Sequence, residues 1–222
     1  MSAGFTLISH PGVNLRRVRS LLVILAGLLL ATAARAGDLT VSVRDASGRP
    51  VRDAVVTVHP AAGAPRGAVR FPWALRMAQQ NVDFDPYVLI VPVGGTVSFP
   101  NLDRVRHQVY SFSRGNRFEL PLYSRGDAPT HTFAAVGVAA LGCNIHDDML
   151  AYIKVVDTPW AAKTDASGQA TLRGVPAGAA TLRVWHPRLA GRGNEVAQTL
   201  TIGAGAATRA ITGDFTARAA LR

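Results

Sequence analysis

Residues 137–157, GVAALGCNIHDDMLAYIKVVD, decide how this chain is read. An alternating stretch runs up to Cys143, and Ala151–Asp157 (AYIKVVD) has the β-branched and aromatic content of a strand. The segment between them, Cys143-Asn144-Ile145-His146-Asp147-Asp148-Met149, is therefore a short loop joining two strands. Within seven residues it carries a thiol, an imidazole and a thioether. Soft sulfur donors combined with imidazole select copper, and a trigonal His-His-Cys set with a long axial Met is the blue-copper arrangement. That arrangement needs a second imidazole from elsewhere in the chain. His107 is the candidate, because it follows the strand end and turn Phe99-Pro100-Asn101-Leu102-Asp103 and opens the alternating run HQVYSFS at 107–113. Zinc held by Cys143, His107, His146 and Asp147 or Asp148 is the chemical alternative.

Cys143 is the single cysteine among 222 residues. One thiol forms no internal disulfide, and it excludes both a C-x-x-C-H haem attachment and a cluster held by four cysteines of the chain. The compartment matters here, and the N-terminus bears on it. Arg16, Arg17 and Arg19 precede the apolar run LLVILAGLLLATAA at 21–34, and Ala34-Arg35-Ala36 follows. Basic region, apolar region and small-residue site in that order read as a signal peptide over 1–36, cleaved after Ala36. The run is shorter than the roughly 20 residues a spanning helix requires. No later run is long enough either, so the mature chain is expected to have no stable membrane span. The net charge of +10 includes four arginines of the signal segment, which leaves about +6 on residues 37–222. Those basic residues are scattered rather than gathered in a stripe, which argues against nucleic acid as a partner.

The remaining sequence is rich in short alternating runs broken by Gly, Pro, Asp and Ser, the signature of an all-β sandwich. Thr40–Arg44, 54–59 (AVVTVH), 87–93 (YVLIVPV), Thr96–Pro100, Thr130–Phe133, Gln169–Arg173, 180–186 (ATLRVWH) and Val196–Ile202 are strand candidates. Gly94-Gly95 reads as a hairpin turn. The only helix candidate after the signal segment is a short one around Trp73–Asn81. The tetrapeptide Asp-Ala-Ser-Gly occurs twice, at 45–48 and 165–168, and reads as two similar turns of one β-domain separated by a long insert. The stretch from Gly203 is Ala- and Gly-rich and reads as a loose tail.

Two resemblances follow from these residues. Pro92-Val-Gly-Gly-Thr-Val-Ser-Phe99, then Asn101, Asp103 and His107, then Gly137 through Met149, resemble a plastocyanin-like cupredoxin of the bacterial exported kind labelled methylamine utilisation protein. The resemblance implies a Greek-key β-sandwich, His107, Cys143 and His146 as equatorial ligands of one type 1 copper ion, and Met149 as the axial ligand. This sequence departs from the pattern by having Asp147 where such proteins often have Pro. It also has fewer residues between the second His and the Met than plant plastocyanins. The flanks, Leu39–His59 and 164–186, resemble a carboxypeptidase-regulatory-like, transthyretin-like β-sandwich. The implied organisation is a signal peptide at 1–36 with its helix, a discontinuous regulatory-like sandwich at 37–68 and 158–206, a cupredoxin domain at 69–157, and a loose tail at 207–222.

The function these readings imply is a periplasmic one-electron carrier, not an enzyme, working between redox partners such as a cytochrome, a dehydrogenase or an oxidase. A copper carrier or storage protein, and a non-catalytic β-sandwich binding module, are the alternatives. His59 and His186, each followed by Pro, form a minor candidate pair for a second metal. His131 reads as structural, and Tyr87, Tyr110, Phe112, Phe118 and Phe133 read as core. Neither a nucleophile elbow, nor a phosphate loop, nor a spaced acidic pair is present.

Overall fold

A computed structural model describes residues 36–65 and 67–217. The expected signal segment lies outside these residues except for Ala36, which opens the first strand. In chain order the strands are β1 (Ala36–Asp45), β2 (Val55–Pro60), β3 (Ala78–Gln79), β4 (Phe84–Asp85), β5 (Val88–Pro92), β6 (Gly95–Ser98), β7 (His107–Ser111) and β8 (Phe118–Tyr123). They continue with β9 (Thr130–Phe133), β10 (Gly137–Gly142), β11 (Leu150–Val156), β12 (Ala161–Lys163), β13 (Gln169–Pro176), β14 (Gly178–Trp185), β15 (Glu195–Ile202) and β16 (Ala207–Gly213). The described residues are all-β apart from one 3-10 turn at Arg192–Asn194. No described helix is long and apolar enough to cross a membrane.

The strands form a stack of sheets. A three-stranded sheet, β13-β1-β16, faces a four-stranded sheet, β12-β2-β14-β15, across a core that includes Leu39, Val41, Val43, Val56, Val58, Leu182 and Val184. A five-stranded sheet, β5-β11-β10-β7-β8, packs against the β6-β9 ribbon and the β3-β4 hairpin in a second sandwich, around Met77, Phe99, Val109, Phe133, Leu141 and Ile153. The period of two along each strand decides which core a residue enters. In β5, Leu89 and Val91 join this second core, while Val88 and Ile90 point the other way. With Tyr152, Ala140 and Trp185 they make a third apolar layer that joins the five-stranded sheet to the four-stranded one. A sheet buried on both faces explains why β5 reads as a continuous apolar run rather than an alternating one.

Four expectations need correction. Gly94-Gly95 does not close a hairpin: β5 pairs in parallel with β11 and β6 pairs with β9, so this turn carries the chain from one sheet to the other. The helix expected around Trp73–Asn81 is extended chain. Met77 N–H donates to Ser98 C=O and Ser98 N–H to Leu75 C=O, so the segment satisfies its backbone along the neighbouring strand instead of internally. Residues 207–213 of the expected tail form β16, which pairs in parallel with β1 from Leu39 to Asp45 and buries Ile211. Phe112 lies outside the core at 54% exposure, beneath the Arg117 guanidinium. The twin Asp-Ala-Ser-Gly turns are equivalent: Asp45 and Asp165 each accept the Ser N–H, the Ser hydroxyl and the N–H four residues on.

Candidate metal centre

β10 ends at Gly142 and β11 begins at Leu150, so the loop 143–149 is held at both ends by an antiparallel ladder running from Gly142↔Leu150 to Gly137↔Val155. β7 starts at His107 and lies beside β10 through the Gly142↔Tyr110 pair. Adjacent strands thus bring the loop and His107 to the same end of the sandwich. The donor atoms of His107, Cys143 and His146 lie within 4.8 Å of one another. Cys143 Sγ stands 3.9 Å from Nδ1 of His107 and 3.9 Å from Nδ1 of His146. For bonds of about 2.3 Å to sulfur and about 2.0 Å to nitrogen, a trigonal ion would set these donors roughly 3.7 Å apart. The spacing is long for a direct hydrogen bond and suited to donors sharing one ion. His107 and Cys143 are buried, whereas His146 is half-buried.

Met149 is 2% exposed and belongs to the same apolar cluster as Cys143. Its N–H donates to His146 C=O at 3.1 Å, closing a turn across Asp147 and Asp148. Asp147 and Asp148 sit exposed in that turn, and Arg104 and Arg106 are exposed on the loop that leads into His107.

Several residues that support the site were not assigned such a role from the sequence. Asp103 Oδ2 pairs with His107 Nε2 at 2.8 Å, on the ring edge away from Cys143. The same carboxylate accepts the N–H groups of Asn81 at 2.7 Å and Val82 at 2.9 Å. Burial pushes the Asp103 carboxyl up, but these bonds from Val82, His107 and Asn81 outweigh it and hold the group below the usual carboxylate range. Gln79 donates to the Tyr123 hydroxyl, and burial raises the Tyr123 phenol, with a smaller push from nearby Cys143. Asn144, next to the thiol, donates to Gln108 Oε1 at 2.7 Å, and Gln108 donates to Glu119 Oε1 at 2.6 Å, which ties the loop to β7 and β8. The resemblance includes Asp103, and its position four residues before His107 is the only signal in the sequence for its contact.

The minor candidates separate. His59 pairs across the ladder with Thr181, and Val55 with Trp185, so His59 and His186 flank the β2–β14 ladder at opposite ends, on the order of 17 Å apart at the strand rise. His131 stacks on Phe118 at 4.1 Å and meets Phe133 edge-on at 4.9 Å.

No known protein family matches the chain. No curated protein matches it either. Among solved structures it is similar to a copper-containing nitrite reductase (NirK) from Thermus scotoductus SA-01, with 26% identity over 45% of this chain and 25% of that one, TM-score 0.37. It is also similar to a purple cupredoxin from Nitrosopumilus maritimus, with 25% identity over 36% of this chain and 98% of that one, TM-score 0.33. A reduced amicyanin variant shares 21% identity over 47% of this chain and 99% of its own, TM-score 0.35. The chain thus spans about a quarter of the nitrite reductase's length.

Proposed function

We propose that this protein is an exported type 1 copper protein that carries single electrons between redox partners in the periplasm, with His107, Cys143 and His146 as equatorial ligands and Met149 as the axial one. The observation that carries the reading is the convergence of one cysteine sulfur and two imidazole nitrogens within 4.8 Å. A bound copper ion would supply a one-electron change. The chain's own residues do the rest. Cys143 offers the soft donor that selects copper over harder ions. β7, β10 and β11 hold the donors in place, so the same positions serve both oxidation states. His146 is the ligand nearest solvent, and exposed Leu102, Val105 and Ile145 sit on the two ligand-bearing loops, giving a partner apolar surface to rest on. Arg104 and Arg106 on one loop favour an acidic partner rim.

The same reading divides the chain into a cupredoxin domain at 69–157 set within a regulatory-like sandwich of 37–68 and 158–213, which includes β16 because it pairs with β1. It also begins the mature protein at Gly37, after export. The deciding measurement is the absorption and EPR spectrum of the purified protein after Cu(II) addition. Intense visible charge transfer from the Cys143 thiolate is expected. It is lost in Cys143→Ser and kept in Met149→Leu. A colourless complex, or uptake of zinc alone, overturns the proposal.

A further inference from the structure

Asp103 connects His107 to an element that carries no ligand. Asn81 and Val82 are the two central residues of the β3–β4 hairpin, which Gln80 and Asp83 close with reciprocal backbone hydrogen bonds of 2.9 and 3.2 Å. Both central residues have φ of +59°, the left-handed region that L-residues avoid and that β-branched Val tolerates least. Nothing in the sequence of this turn supplies the glycine such a conformation favours. What compensates is the Asp103 carboxylate, one oxygen on each of the two turn N–H groups. The oxygen that takes Val82 N–H also takes His107 Nε2.

The Asp103 backbone is fixed in turn. Its N–H donates to Asn101 Oδ1 at 2.9 Å, and the fully buried Asn101 side chain donates to the carbonyls of Val105 at 2.8 Å and Tyr123 at 3.2 Å. Leu102 N–H donates to Gln79 C=O, and Gln79 N–H to Pro100 C=O, stitching this loop to β3.

We propose that Asp103 is the positioning residue for His107, clamping its imidazole to the strained Asn81–Val82 turn so that the β3–β4 hairpin belongs to the rigid frame of the metal centre. Donation of Nε2–H to the carboxylate selects the tautomer whose Nδ1 lone pair faces Cys143. The fixed negative charge behind the ring strengthens the imidazole as a donor and favours the more highly charged metal state. The proposal rests on the copper reading for its redox consequence, but the clamp itself is a property of the metal-free chain.

The test therefore has two arms. In the metal-free protein, hydrogen exchange followed by NMR should show the amides of exposed Asn81 and Val82 protected, together with a slowly exchanging His107 Nε2–H. In Asp103→Asn that protection should disappear, because an amide has one acceptor oxygen for three donors. With copper added, the same variant should stay blue, bind the ion roughly 10- to 100-fold more weakly, and show a Cu(I):Cu(II) ratio about tenfold higher at a fixed applied potential, equal to about 59 mV. Rapid exchange of these three protons in the wild-type protein overturns the clamp, even if the variant does not fold. So does an Asp103→Asn protein with unchanged exchange, affinity and potential. If the wild-type protein takes up no copper, the metal reading fails and the exchange data alone uphold or reject the clamp.

Discussion

His186 shows how a single side chain ties this fold to pH. It follows β14, is 7% exposed, meets Phe215 edge-on at 5.3 Å and accepts Arg188 N–H on Nδ1 at 3.1 Å. Burial, aided by the Arg188 charge, pushes its pKa down to about 4. The unfolded chain takes up this proton near the ordinary value of 6.5, whereas the folded chain resists until about 4. Between those values the unfolded state binds more protons, so stability falls as pH drops through the window, by about 3 kcal/mol at most. His59 and His131 are shifted in the same direction, chiefly by burial. Urea unfolding at pH 7 and pH 5 should show this loss, and His186→Gln should make it smaller. At this scale the convergent donors were the most legible part of the sequence, because Cys143 and His146 share one short loop and a lone thiol beside an imidazole is a conspicuous pattern. Asp103 was less legible, since its partners Asn81 and Val82 lie in a hairpin some twenty residues earlier. No pattern in the sequence announces a contact made through folding alone.

The twin turns give a controlled comparison at the level of elements. Gly48 and Gly168 close equivalent Asp-Ala-Ser-Gly turns with φ of +82° and +75°. A Cβ at Gly48 would meet nothing within 4 Å, but one at Gly168 would stand 2.6 Å from the Val43 carbonyl oxygen and 3.0 Å from Pro50 Cβ. Gly48→Ala should cost about 1 kcal/mol, the penalty of the left-handed conformation. Gly168→Ala should cost roughly 3 kcal/mol, because the backbone must also move apart. Equal losses in denaturant melts would show that the turns are not packed as described. These turns were readable because Asp, Ser and Gly act locally. Gly94-Gly95 was misread for the opposite reason: a glycine pair reports that the chain turns, not which strand it will pair with. β16 was missed because its alternation, carried by Ala, Thr and Arg around a buried Ile211, is too weak to stand out before β1 is there to receive it.

For the molecule as a whole, the layer between the five-stranded and four-stranded sheets is decisive. Trp185 is 3% exposed in that layer, meets Tyr152 edge-on at 5.8 Å, and lies under Lys154, whose ammonium pairs with Glu195 at 3.0 Å. Lys163 adds a cross-link, donating to Val88 C=O at 2.9 Å while pairing with Asp53 at 2.8 Å. Trp185→Ala should cost about 3–5 kcal/mol. The metal colour and the far-ultraviolet signal should still melt together, since the two sandwiches share this core. Separate transitions would mean that the layer does not couple them. The order of the strands has a further consequence, one of timing. β2 pairs with β12 and β14, and β1 with β13 and β16, all of which come after β3 to β11 in the chain. On a growing chain the first two strands therefore wait, unpaired, while more than half of the remaining sequence arrives. Each must then be captured by late-arriving partners across a long loop, a slow step by its topology. The other sandwich, whose strands β3 to β11 are contiguous, has all its own strands before those partners arrive, and its folding brings the ends of the first and last segments close enough to meet.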